Sequence, residues 1–169
     1  MEDNHEKFIR LAENRVNRFK NTMLLISNLS DSRYDYSKDE VEWYFNELRL
    51  RMDSVKDEFF NHKIKRSTLV INKLQKMPAK LCSNPSGKMN ERFHVLMTNR
   101  MYRLIVVLNL LLNLTNRAHY KFFNSDVKQI FGYMDKVFDA TLSHFIGIGD
   151  FSIKKLGEEA VVDGARVKR

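Results

Sequence analysis

The chain writes one helical segment twice, and this repetition limits its possible folds more than any other feature. Shifted by 85 residues, Phe8, Leu11, Asn14, Arg15, Arg18, Leu25, Asn28 and Leu29 fall on Phe93, Leu96, Asn99, Arg100, Arg103, Leu110, Asn113 and Leu114. After one extra residue in the second turn, Tyr34, Val41, Phe45, Asp53 and Phe59 meet Tyr120, Val127, Phe131, Asp139 and Phe145. The matches keep their order and need one single-residue gap in a turn. Both copies carry helical spacing, which marks a duplicated unit rather than coincidence.

Each copy reads as a helical hairpin. The chain has two prolines and six glycines, most of the glycines beyond Ile146, so the rest favours long helices. Phe8, Ala12, Val16, Phe19, Met23 and Ile26 step by threes and fours and share one helix face. "NLSDSRYDYS" breaks that helix, with Asn28 or a neighbour suited to a left-handed cap. "SKDE" from Ser37 is a capping-box pattern, and Val41, Phe45, Leu48, Met52, Val55 and Phe59 follow on a second helix. Neither hairpin can bury its apolar stripe alone. The expectation is an all-α protein, a duplicated helical hairpin forming a four-helix bundle with approximate two-fold symmetry.

The predicted organisation is a single helical domain over residues 1–150, with hairpin repeats at about 6–60 and 93–146 joined by a basic connector at 61–92. Residues 151–169, glycine-containing and of mixed charge, are expected to be a flexible tail. At 169 residues the chain needs no staple, and the single Cys82 offers no internal disulfide. The charged N-terminus is not a signal peptide, and the run Leu104 to Leu114 is short for a bilayer span, so a cytoplasmic protein without a membrane partner is expected. Asn28-Leu29-Ser30 and Asn113-Leu114-Thr115 match glycosylation sequons, but local turn chemistry explains them better in such a protein.

The repeated arginines carry two readings. Helix lengths place Arg15 level with Asp53 and Arg100 level with Asp139 within each antiparallel hairpin, which suggests a partly buried ion pair in each. The other reading is a phosphate clamp. Arg18 and Arg103 have no repeated acid at matching height and remain candidates for an anion.

Catalytic patterns are missing along the sequence. His5, His62, His94, His119 and His144 are scattered, with no ligand pair at helical spacing and no cysteine cluster, so no metal site and no cofactor is expected. No histidine has an arginine five to seven residues upstream, unlike the all-helical ribonucleases built on that motif. No Gly-rich phosphate loop or nucleophile motif occurs either. The chain is expected not to be an enzyme.

Charge gives the functional direction. Residues 1–60 carry ten basic and 13 acidic side chains, whereas 61–92 carry eight basic and one acidic. The connector has a helical pattern that can continue the second helix as far as Pro78, with Ile64, Thr68 and Ile71 opposite Lys65, Arg66, Lys73 and Lys76. Lys80 extends the charge. In the second turn, Arg117, His119 and Lys121 alternate with Tyr120 and Phe122, a pattern that can hold a backbone and stack a base or simply cap the bundle end. A cationic face is either merely solvated or gains phosphate affinity by counterion release.

The string "FIRLAENRVNRFKNTMLLISNLSDSRYDYSKDEVEWYFNELRLRM" resembles an uncharacterised helical-hairpin module of bacterial plasmid, phage and integrated-element proteins. Its arginine-bearing helix, "NLS" turn, paired tyrosines and capped second helix carry the likeness, and the second copy, "NLTNRAHYKFFNSDV", keeps the turn but loses the acid-rich helix start. That resemblance implies a mobile-element context and assigns no activity. The expected function is a nucleic-acid-binding module or accessory subunit of a nucleoprotein complex, touching RNA or DNA backbones through Lys65, Arg66, Lys73, Lys76, Lys80, Arg117, Lys121, Arg18 and Arg103. The alternative is a protein-binding regulator or inhibitor using the acidic first hairpin or Trp43.

Overall fold

The computed structural model describes residues 1–61 and 74–145. These residues form α1 (Asn4–Ser27), a 3-10 turn (Asn28–Ser30), α2 (Lys38–Asn61), a second 3-10 turn (Ala79–Leu81), α3 (Lys88–Asn113) and α4 (Asn124–Ser143), with no strand among them. Lys65, Arg66, Lys73 and the tail at 151–169 lie outside the described residues. Both apolar stripes read from the sequence are buried, from Phe8 to Ile26 on α1 and from Val41 to Phe59 on α2.

The helix ends follow local chemistry. Asp3 caps α1 in a reciprocal box with Glu6. Ser37 and Glu40 form the expected box at α2: the Ser37 amide donates to Glu40 Oε1 at 2.8 Å, and the Glu40 amide to Ser37 Oγ at 3.3 Å. Asn28, however, is right-handed (φ −65°, ψ −19°) and leads into the 3-10 turn, which closes the helix without a left-handed residue. The connector is not helical as far as Pro78, because residues 74–78 are not helical; the rest of the expected connector helix, 62–73, lies outside the described residues.

The helices of one hairpin are not each other's main neighbours. Both α1 and α2 pack on α3 and α4, so the hairpins interlock and each hairpin's two helices stand on a diagonal. Paired residues fix the directions. Arg15 meets Leu110 and Arg100 meets Leu25, which makes α1 and α3 antiparallel. His5 meets Asp126 and Asn90 meets Glu40, which makes α1 parallel to α4 and α3 parallel to α2. The end of α2 at Asn61 and the start of α3 at Lys88 therefore stand at opposite ends of a bundle about 36 Å long, the length of 24 helical residues.

Contacts recur in pairs that the repeat relates. Phe8 stacks on Phe122 with centroids 5.1 Å apart, and the equivalent Phe93 stacks on Tyr36 at 5.0 Å. Phe59 meets the edge of Phe122 at 5.2 Å, and Phe145 meets Tyr36 at 5.4 Å. Phe59 packs on Phe131, and Phe145 on Phe45, both at 5.8 Å. The internal two-fold axis thus passes between α1 and α3 on one side and between α2 and α4 on the other.

This arrangement replaces the ion pairs expected within the hairpins. Arg15 donates to the Leu110 carbonyl at 2.6 Å, and Arg100 to the Leu25 carbonyl, its repeat equivalent. Asp139 is exposed, and Asp53 lies 3.4 Å from Arg49 instead. Equal height did not bring Arg15 to Asp53 because diagonal helices do not share a groove. The buried ion pair lies on the axis: Arg49, 1% exposed, donates to Asp135 at 2.6 Å, between positions equivalent in the repeat, and its guanidinium sits 4.2 Å from the Phe138 ring.

Helix α3 is long and apolar enough to cross a membrane by length and composition alone. Phe93, Met97, Met101, Leu104, Leu108 and Leu111 on that helix are buried in the bundle core. Serving α1 on one flank and α2 on the other requires apolar residues over more than one stripe.

Candidate functional site

The interlocked order sorts charge that the sequence distributes over both hairpins. Helices α1 and α3 lie side by side, and both are basic. The first carries Lys7, Arg10, Arg15, Arg18 and Lys20 against Glu6 and Glu13; the second carries Lys88, Arg92, Arg100 and Arg103 against Glu91. Helix α2 has seven acidic and four basic residues, and α4 has Asp126, Asp135 and Asp139 against Lys128 and Lys136. One side of the bundle is therefore cationic and the opposite side anionic.

At the centre of the cationic side, Arg15 and Arg100 are half-buried and fixed on carbonyls across the helix pair. Burial lowers the pKa of both; Tyr120 and Tyr34 oppose that, while Arg18 and Arg103 add to it. Arg18 and Arg103 themselves are exposed and related by the two-fold, giving the face two equivalent solvent-facing guanidinium groups. The turn between α3 and α4 adds charge at one end. Lys121 donates its amide to the Asn4 carbonyl, Lys7 lies over the Tyr120 ring at 5.5 Å, and Arg117 lies over Phe122 at 4.2 Å. Phe122 is buried, so this turn both caps the bundle and presents cations; Arg117 and Lys121 are exposed.

Of the connector cations, Lys76 and Lys80 are described and exposed. Lys76 lies on the α2/α3 side. There Leu74 to Met77 borders a groove of about 740 Å³ together with Trp43, Tyr44, Cys82, His94 and Tyr102. A second groove of about 790 Å³, between α1 and α4, is its repeat equivalent, with Ile9 in the place of His94 and Ile130 in the place of Tyr44.

The connector brings together side chains that no spacing along the sequence links. Glu40 is fully buried and accepts from Asn90 Nδ2 at 2.9 Å, from the Ser37 amide, and from Ser83 Oγ and His94 Nε2 in short hydrogen bonds. Burial raises its pKa, but donation from Asn90, Ser83, His94 and Ser37 outweighs that and holds it at about 2. His94 Nδ1 lies 2.7 Å from the Tyr44 hydroxyl, which is 3.4 Å from Thr98 Oγ1, and Cys82 Sγ lies 3.1 Å from Asn90 Oδ1. Glu40, Cys82 and His94 come from three separate segments, so no spacing along the sequence reveals the cluster. The visible signal was asymmetry in the repeat, since polar His94 and Tyr44 stand where the other copy has isoleucine.

Fold and charge together define a two-fold-symmetric helical bundle with one basic side. No protein-family model matches the chain, and no curated protein or solved structure shows significant similarity to it.

Proposed function

We propose that this protein is a non-enzymatic nucleic-acid-binding module, acting in the cytoplasm as an accessory subunit of a nucleoprotein complex, in the mobile-element setting that the sequence resemblance implies. The observation that carries this reading is the sorting of charge onto α1 and α3. Fixing Arg15 and Arg100 on carbonyls holds the middle of that surface rigid, while Arg18 and Arg103 stay exposed as repeat-related cations. Rigid presentation limits the side-chain entropy lost when a phosphate is engaged. Arg117 and Lys121 extend the surface at one end, and Lys76 adds charge at the groove between α2 and α3. Backbone contacts of this kind bind RNA or DNA with little base readout.

Titrating labelled single- and double-stranded RNA and DNA at several salt concentrations tests the reading. The expected result is salt-sensitive binding of similar strength across sequences. Changing Arg18 and Arg103 to Gln should lower the salt slope by up to about 1.5 units, two phosphate contacts' worth, with unchanged helical content. Binding that is absent at low salt, or unaltered by this pair, overturns it. The competing reading, a protein-binding regulator, draws on the acidic α2 and α4 side and its exposed Leu50 and Tyr133. It is favoured if nucleic acid does not bind.

A further inference from the structure

We propose that Glu40, Cys82 and His94 bind a zinc-class divalent metal ion, with a fourth coordination position open to the groove between α2 and α3. One ligand atom from each residue lies within 4.8 Å of the others. A tetrahedral zinc with bonds of about 2.0 to 2.3 Å sets its ligand atoms roughly 3.3 to 3.7 Å apart. The Glu40 to His94 contact must therefore open by about an ångström, and the sulfur must stay close, which are side-chain adjustments. A thiolate, an imidazole and a single carboxylate select borderline-soft ions such as zinc over magnesium or calcium.

The surroundings are those of a supported ligand set. Ser83, Asn90 and the Ser37 amide hold the Glu40 carboxylate, and the Tyr44 hydroxyl holds the far nitrogen of His94. Outer contacts of this type orient metal ligands. In the metal-free protein His94 Nε2–H donates to Glu40 while Nδ1 accepts from Tyr44. Metal takes Nε2, the ring proton moves to Nδ1 and donates to the Tyr44 oxygen, and the Tyr44 hydroxyl turns toward Thr98. The Cys82 S–H bond is replaced by a metal–sulfur bond, so one proton leaves to solvent. Cys82 and His94 line the groove and Glu40 does not, which places the open position on the groove side.

The repeat supplies an internal control against a purely structural role. In the other half, Asp126 and His5 occupy the places of Glu40 and Asn90 and keep the helix-start contact at 3.0 Å. Ile9 and Ile130 stand where His94 and Tyr44 do. The fold is completed there with one imidazole, His5, in the place of Asn90, and without the hydroxyl, the thiol or an imidazole at the His94 position.

The test uses the full chain stripped with a chelator and titrated with Zn²⁺ against a chromophoric competitor, and with Co²⁺ as a spectroscopic probe. One ion per chain should bind, releasing about one proton, with a thiolate-to-cobalt charge-transfer band. Cys82→Ser should remove that band. Cys82→Ser and His94→Ala should each weaken Zn²⁺ binding by more than about tenfold, while His119→Ala should not. Circular dichroism checks folding, and Cys82→Ala serves if either principal variant misfolds. Failure of the parent protein to bind Zn²⁺, or binding indifferent to Cys82 and His94, overturns the proposal. Nucleic-acid affinity is not part of the readout, so the two proposals stand or fall separately.

Discussion

Replacing Asp135 with Ala probes the ion pair on the symmetry axis. Arg49 is 1% exposed and Asp135 is its nearest acid at 2.6 Å, while Asp53 stands 3.4 Å away on the same helix. At a separation of about 4 Å and an effective dielectric near 20, one pair attracts by about 4 kcal/mol. Removing one partner of a buried pair typically destabilises by about 3 to 5 kcal/mol, because the remaining charge stays in the interior. Asp53 retains part of the compensation, so the expected loss is about 2 to 3 kcal/mol. For a chain of this size that is a fall of roughly 5 to 10 °C in Tm. The assay is urea unfolding of Asp135→Ala, of Arg49→Met and of the double variant Arg49→Met/Asp135→Leu. Deleting both charges should still be milder than the sum of the single changes, but Asp53 then loses Arg49 too, so a residual loss of about 1 to 2 kcal/mol is expected. A coupling energy below about 0.5 kcal/mol, or Asp135→Ala behaving like a surface change, would refute the assignment.

Arg15→Ala and Arg100→Ala should each destabilise by about 1 kcal/mol, because both guanidinium groups donate to carbonyls across α1 and α3 from half-exposed positions; equal effects from the two would reflect the symmetry, and denaturant midpoints measure them. Asp139→Ala should change stability by less than about 1 kcal/mol, as the residue is exposed and an interaction made at an exposed position contributes little. In chelator-treated protein, Glu40 has a folded pKa of about 2 against an ordinary 4.5. Its stabilisation, on the order of 3 kcal/mol, is therefore present above pH 4.5 and lost as pH falls toward 2, so a Glu40→Gln variant should show a flatter acid limb in a pH series of unfolding midpoints. For nucleic acid, changing Lys65, Arg66, Lys73 and Lys76 together to Gln should weaken binding of all sequences alike in salt titrations; unchanged affinity would confine the interface to α1 and α3.

Local and repeated features were legible in the residues alone. Spacing of Phe8 to Ile26 and of Val41 to Phe59 gave the buried faces, because an apolar stripe at helical period has one way to leave water. Ser37 and Glu40 gave a helix start for the same local reason, and the 85-residue shift gave the duplication and its two-fold. Helix adjacency was decided only in the tertiary structure. A hairpin read from the sequence allows its two helices to pack side by side or to interlock with a second copy, since both bury the same stripes. Interlocking won, and it moved Arg15 and Arg100 onto carbonyls and set Arg49 against Asp135. It also placed two basic helices together, although each hairpin contributes one basic and one less basic or acidic helix. The Glu40, Cys82 and His94 cluster is of the same kind: the three residues meet because α2 and α3 run parallel and begin at the same end of the bundle, and nothing in their spacing along the chain encodes that arrangement.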